Sequence, residues 1–130
     1  MTIEEEIRER NDEFHKSLAN GDAEAMANHF ATNAWFNYSG YPAVHGRDAI
    51  AEMFRQSVAD GLRGMKSYVI SEIIETGPWV IEVGSEVVLN ESPDGSLIEV
   101  PLNYVGAWQR SESGRLEVLF DLVCPDARTV

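Results

Sequence analysis

The residue whose type and place most invite chemistry is Asp121. It sits in an apolar run near the end of the chain, with Leu119 and Val123 two places away on either side. Aspartate is disfavoured inside strands. A carboxyl packed among aliphatic groups loses hydration, so its pKa rises toward the range where it can give or take a proton near neutral pH. The competing reading is an aspartate satisfied by a neighbouring backbone group or tyrosine hydroxyl, with a structural role. Tyr38 and Tyr104 offer hydroxyls to the same place and Trp108 an aromatic wall, a composition that suits a ligand pocket. Each of these three also reads as a core residue with its polar end near the surface. Phe14, Leu18, Phe36, Phe54, Val58 and Leu102 are the apolar candidates to line such a pocket, or are plain core.

Other reactive residue types give less. His15, His29 and His45 share no metal-ligand spacing with one another or with Cys124, so no zinc site is expected. No motif calls for a cofactor. Cys124, beside Leu122 and Val123, reads as a small buried hydrophobe rather than a nucleophile. His45, just before Gly46, reads as a loop residue. Glu72 and Glu86 fall on strands, where glutamates more often occupy a solvated edge.

The elements that must position these residues follow from pattern. Thr2-Ile3-Glu4-Glu5 has the form of a capping box, and Ile3, Ile7, Phe14 and Leu18 then recur at helical spacing. Asn20-Gly21-Asp22 ends that helix and caps a short second one through Ala23, Met26, Ala27 and Phe30. An aromatic strand is expected over 34–38, then a loop at Ser39-Gly40-Tyr41-Pro42. A third helix places Ile50, Met53, Phe54 and Val58 on one face, and Asp60-Gly61 stops it. Beyond Met65 the pattern turns to strands over 67–76, 79–89, 97–109 and 116–124. Gly77-Pro78, Ser92-Pro93-Asp94-Gly95 and the polar 111–114 separate them. Four strands joined by short turns make an antiparallel meander. The order predicts an α+β domain over 1–130, with a curved antiparallel β-sheet backed by three N-terminal helices around an apolar pocket. In the last strand Leu116, Val118, Phe120 and Leu122 form one row, and Leu119 and Val123 flank Asp121 on the other. Both rows are largely apolar, so the outer face is expected to meet a second copy in a homodimer.

Composition narrows the partners. The 130 residues carry 22 acidic and 10 basic side chains, a net charge of -12. Such a surface repels phosphate backbones and anionic headgroups, so neither nucleic acid nor membrane is expected as partner. The acidity is read as solubility rather than as steering of a cation. The charged N-terminus is no secretory signal, and one cysteine cannot form an intrachain disulfide, which suits the cytoplasm.

Asn20-Gly21-Asp22-Ala23, Phe30-Ala31-Thr32-Asn33-Ala34, His45-Gly46-Arg47-Asp48-Ala49-Ile50, Gly106-Ala107-Trp108-Gln109 and Gly114-Arg115-Leu116 together resemble the nuclear-transport-factor-2-like superfamily. The likeness runs from Phe14 to Cys124 and rests on the order and spacing of these landmarks. It implies a conical, cystatin-like α+β barrel with a deep pocket, often dimeric. The superfamily holds ketosteroid isomerases, limonene-epoxide-hydrolase-type enzymes, SnoaL-like polyketide cyclases and members without chemistry, so fold alone does not set function. Where ketosteroid isomerases place the oxyanion-hole tyrosine, this chain has Phe14. Where they carry the aspartate base, it has Tyr38, a poor base near pH 7. The epoxide-hydrolase type holds water with a tyrosine and an asparagine, where Phe36 and Tyr38 stand here. Its arginine-aspartate pair falls near 84–87, where no arginine occurs. Its last-strand aspartate is matched by Asp121, and SnoaL-like cyclases also use an acidic residue on a late strand. Strand parity leaves the direction of Asp121 open, and the resemblance favours inward.

The expectation for function is an acid/base enzyme of isomerase, cyclase or hydratase type acting on a small hydrophobic molecule. Asp121 would be the acid/base, and Tyr38 or Tyr104 would polarise an oxygen. The alternatives are a non-catalytic binding protein for a hydrophobic metabolite, or a dimeric interaction domain whose pocket is filled by Phe14, Phe36 and Phe54.

Overall fold

A computed structural model describes residues 1–126. Helix α1 (Ile3–Ala19) begins where the Thr2 hydroxyl accepts the Glu5 amide at 3.1 Å. It ends at Gly21, whose φ of 65° is a left-handed conformation that glycine adopts without penalty. Asp22 caps the five-residue α2 (Ala23–Ala27) by accepting the Ala25 amide. Then come β1 (Phe30–Tyr38), the two-residue β2 (Val44–His45) and α3 (Arg47–Ala59). The long strands β3 (Leu62–Thr76), β4 (Trp79–Glu91), β5 (Leu97–Arg110) and β6 (Leu116–Pro125) follow. Among the described residues no helix is long and apolar enough to cross a membrane.

The strands form one curved, unclosed sheet in the order β2-β1-β6-β5-β4-β3. The expected meander is present, but the first strand joins it in parallel with β6, the one departure from antiparallel pairing in the sheet. That strand also starts four residues earlier than the aromatic pattern suggests, and His45 lies on β2 rather than in a loop, its ring stacked on Trp35 at 4.0 Å. The three helices cover one face of the sheet. The core between them holds Ile7, Met26, Phe30, Ile50, Trp108 and Leu116, each essentially inaccessible to solvent. Burial of this apolar surface is the main term favouring the fold.

Two features of β6 correct the sequence reading. The pairing with β5 steps from Trp108↔Val118 to Ala107↔Phe120, so Leu119 is an extra, bulged residue. Alternation along β6 is therefore broken: Val118 faces inward with Trp108, and beyond the bulge Asp121 and Val123 face inward too. Phe120, Leu122 and Cys124 fall on the outer face. Cys124 is exposed rather than buried.

Candidate active site

The inner face of the sheet is best followed by rows of paired residues running across the strands. One row runs Ile73, Glu82, Gly106, Asp121 and Phe36 through β3, β4, β5, β6 and β1. The next runs Ile70, Gly84, Tyr104, Val123 and Tyr38, and a third runs Tyr68, Glu86 and Leu102. Two carboxyls thus share the first row with only a glycine between them, and a third, Glu86, stands two rows away on β4. The glycines are what make room. At Gly84 an added Cβ would lie 2.6 Å from Tyr104 Cζ and would also crowd the Val69 carbonyl, so the tyrosine ring occupies the space a side chain would need. At Gly106 the space stays open, with Asp121 Oδ1 3.8 Å from where a Cβ would be.

From the helical side, Asn11, Phe14, His15 and Leu18 project from one face of α1, as their spacing dictates. Met53, Phe54 and Ser57 do so from α3. Between helices and sheet lies a cavity of about 700 Å³, walled by Phe14, Leu18, Phe36, Tyr38, Phe54 and Leu102 among others. Its volume is in the range of ligand sites. A smaller compartment of about 50 Å³ adjoins it and is lined by Asn11, His15, His29, Tyr68, Glu82, Tyr104 and Trp108 among others. Phe14, Glu86 and Asp121 border both spaces.

The three carboxyls differ in what surrounds them. Glu82 is 3 % exposed and fully engaged: Asn11 Nδ2 donates to Oε2 at 3.1 Å, the Tyr104 hydroxyl at 2.6 Å, and Trp108 Nε1 to Oε1 at 2.9 Å. Hydrogen bonds of this kind are what make a buried carboxylate tolerable. Asp121 and Glu86 have none from any described residue. Burial pushes the Asp121 carboxyl well above the ordinary aspartate range, and the charges of Glu86 and Glu82 push it further. Burial, then the Glu82 charge, raises Glu86 to about 7. The phenol of Tyr104 is raised by burial and by Glu82, and that of Tyr38 chiefly by burial. His29, 8 % exposed, packs on Phe14 at 4.7 Å and Trp108 at 4.9 Å. Its Nδ1 has no partner, and burial together with the nearby Arg10 charge holds it well below the usual histidine range.

The structure thus brings Asp121 to the cavity wall with Phe14, Leu18, Phe36, Tyr38, Phe54 and Leu102. Tyr104 and Trp108 lie at its polar end, where both are bound to Glu82. Val58 lies outside the cavity walls, its Cγ1 3.5 Å from the Cβ position of Gly21. Glu86 does not occupy a solvated edge, because β4 runs between β3 and β5 and the even-numbered residues face the helices. The signal was present: Val80, Glu82, Gly84, Glu86 and Val88 alternate on one face, so the apolar ends of that row mark the glutamates between them as inward. Asn11, His15 and His29 carry no comparable sequence signal.

A family model described as a SnoaL-like domain matches residues 12–118. No curated protein matches the chain. Among solved structures, a ketosteroid isomerase-like protein from Erwinia carotovora atroseptica is similar with 16% identity and a TM-score of 0.78, covering 94% of this chain and 95% of that one. An NTF2-like protein with a cystatin-like fold from Novosphingobium aromaticivorans has 19% identity and a TM-score of 0.75, covering 95% and 82%. A Catenulispora acidiphila structure in complex with S-DNPA has 20% identity and a TM-score of 0.79, covering 98% and 96%. At these identities the structural likeness is one of fold.

Proposed function

The chain belongs to the SnoaL-like domain family of the NTF2-like superfamily, and from that premise we propose that it transforms a small hydrophobic molecule by general acid/base proton transfer. The observation that carries this reading is the placement of Asp121 and Glu86, two carboxyls without hydrogen-bonding partners, on the wall of one largely apolar cavity. A carboxyl in that setting is costly to folding and useful to catalysis. Their environments separate their tasks. Glu86, near 7, suits the base that removes a proton at neutral pH. Asp121, pushed well above its ordinary range, suits a neutral acid that donates to a substrate oxygen as charge develops there. Tyr104 is committed to Glu82 at 2.6 Å, so of the two tyrosines Tyr38 is the one left to assist. The reaction class is isomerisation, cyclisation or hydration.

The test needs no knowledge of the natural substrate. The base-sensitive ring of 5-nitrobenzisoxazole opens when a carboxylate in an apolar pocket removes its proton, and the nitrophenolate product is coloured. Wild type should accelerate that opening over buffer by about 100-fold, a usual contribution of one positioned base. The rate should rise with pH through about 7. Glu86→Gln should abolish the acceleration, and Asp121→Asn should reduce it. A wild type no faster than Glu86→Gln sinks the catalytic reading and leaves non-catalytic binding of a hydrophobic metabolite. That second reading has its own support in the similar Catenulispora acidiphila structure, which is in complex with S-DNPA. Phe14, Phe36 and Phe54 border the cavity rather than fill it, which weighs against an interaction domain with a closed pocket.

The proposal extends to a homodimer acting in the cytoplasm. On the outer face Val83, Val105 and Leu122 form one row and Ile81, Ala107, Phe120 and Trp35 the next. Leu122 is 49% exposed and Trp35 47%, a contiguous apolar surface of the kind that a second copy covers.

A further inference from the structure

The cavity's charge is of one sign. Glu82, Glu86 and Asp121 border its inner end, and among the described residues no lysine or arginine lines either compartment. The other titratable groups facing the carboxyls are His15 from α1, His29 after α2, Tyr68 from β3, Tyr104 from β5 and Tyr38 from β1. Burial lowers both histidines, which disfavours their cationic form, and the three phenols have no cationic form to offer. The cations nearest to His29, Arg10 and Arg115, line neither compartment, although Arg10 Nη2 is itself buried without a partner. Arg10 donates to the Leu116 carbonyl and to Glu13, and Arg115 to the Asn28 carbonyl.

A ligand carboxylate or phosphate brought to this end would lose its water, meet like charge, and find no cation in exchange. An ammonium group faces the reverse situation. It brings N–H donors to two carboxyls that have no other partner, in a cavity that Phe14 and Phe36 also line. His29, more than nine-tenths buried and with an unpartnered ring nitrogen, adds a further unmet polar atom at the same end. The remainder of the cavity, along Phe54, Val88, Val100 and Leu102, asks for an apolar body.

We infer that the cavity takes a small hydrophobic amine in its protonated form, with the ammonium group between Asp121 and Glu86 and the apolar body against Phe54, Val88 and Leu102. The inference rests on the ligand-site reading proposed above and narrows its substrate class.

Isothermal titration calorimetry on the full chain with tryptamine, tryptophol and indoleacetate tests it, since the three probes share a ring system and differ in the terminal group. Tryptamine should bind at least about tenfold more tightly than tryptophol, and indoleacetate most weakly. The preference for the amine should survive about 0.5 M salt, which screens attraction to the acidic surface much more than pairing inside the cavity. In the Asp121→Asn, Glu86→Gln double variant, which keeps shape and removes charge, tryptamine and tryptophol should bind alike. Tryptophol binding as tightly as tryptamine overturns the inference and leaves the ligand cavity standing. So does an amine preference that salt removes, or one that persists in the folded double variant, because the charge read is then outside the cavity. If none of the three probes binds, the ligand-site reading falls and takes the inference with it. Should the double variant fail to fold, the salt measurement on wild type decides alone.

Discussion

Glu82 and Asp121 occupy one cross-strand row of the sheet, separated only by Gly106, and their surroundings are opposite: three donors hold the first and none holds the second. Two carboxyls of one row therefore affect folding with opposite signs. Asp121→Leu should raise stability by about 1 kcal/mol, because a carboxyl without a partner opposes folding. Glu82→Leu should lower it by about 4 kcal/mol, leaving Asn11, Tyr104 and Trp108 with buried donors and no acceptor. Urea unfolding of both variants beside wild type measures the contrast. Equal losses would place Asp121 in a satisfied structural network.

The glycines of the inner face predict a steric contrast. Gly84→Ala should cost about 2 kcal/mol or more, since its Cβ would overlap the Tyr104 ring and meet the backbone of β3. Gly106→Ala should be tolerated within about 1 kcal/mol, because its nearest neighbours stand at ordinary contact distance of 3.6 Å and beyond. Thermal unfolding of the two alanine variants separates them.

Glu86 gives stability a pH dependence of known sign. Its value in the folded state, about 7, lies above the ordinary 4.5. Between those two pH values the folded chain holds a proton that the unfolded chain has released, so stability falls as pH rises through that interval. The full loss is on the order of 3 kcal/mol, present above about pH 7 and absent below about pH 4.5. Asp121, raised as well, adds a slope of the same sign. Urea midpoints at mildly acidic and mildly alkaline pH should show the decline in wild type and a shallower one in Glu86→Gln. A midpoint that rises across the interval would contradict the placement of Glu86.

The outer sheet face predicts the assembly. Wild type should sediment as a dimer at micromolar concentration. Leu122→Arg, which puts a charge in the centre of the apolar rows, should yield a folded monomer. Cys124 follows Leu122 on the same face and is exposed in the single chain, so a thiol reagent should modify it faster in that variant than in wild type. A wild-type monomer at that concentration would remove the dimer from the proposal.

Much of the architecture was legible without coordinates. Helical periodicity with the Thr2 and Asp22 caps placed α1 and α2, and proline-glycine turns separated the long strands, because these signals act within a few residues of themselves. The family landmarks gave the cystatin-like curvature of the sheet. Asp121 was marked by its own type, a carboxyl inside an apolar strand, and the resemblance matched it. Glu86 was visible in the alternation of β4, yet a glutamate on a strand reads as a solvated edge until its neighbours on both sides are known.

The set of elements, their order and the apolar surplus that demands a two-sided sheet are local properties of the residues in order. Which way the chemistry faces depends on how distant strands pair. Strict alternation from Val118 would have sent Asp121 to the outer face beside Leu119. One bulged residue at Leu119, fixed by how β6 pairs with β5, turns it into the cavity instead. The same holds for the charge environment. Whether a carboxyl finds three donors or none depends on residues as far apart in the chain as Asn11, Glu82 and Tyr104, and burial and Coulomb interactions are set by distance in space rather than by separation in sequence.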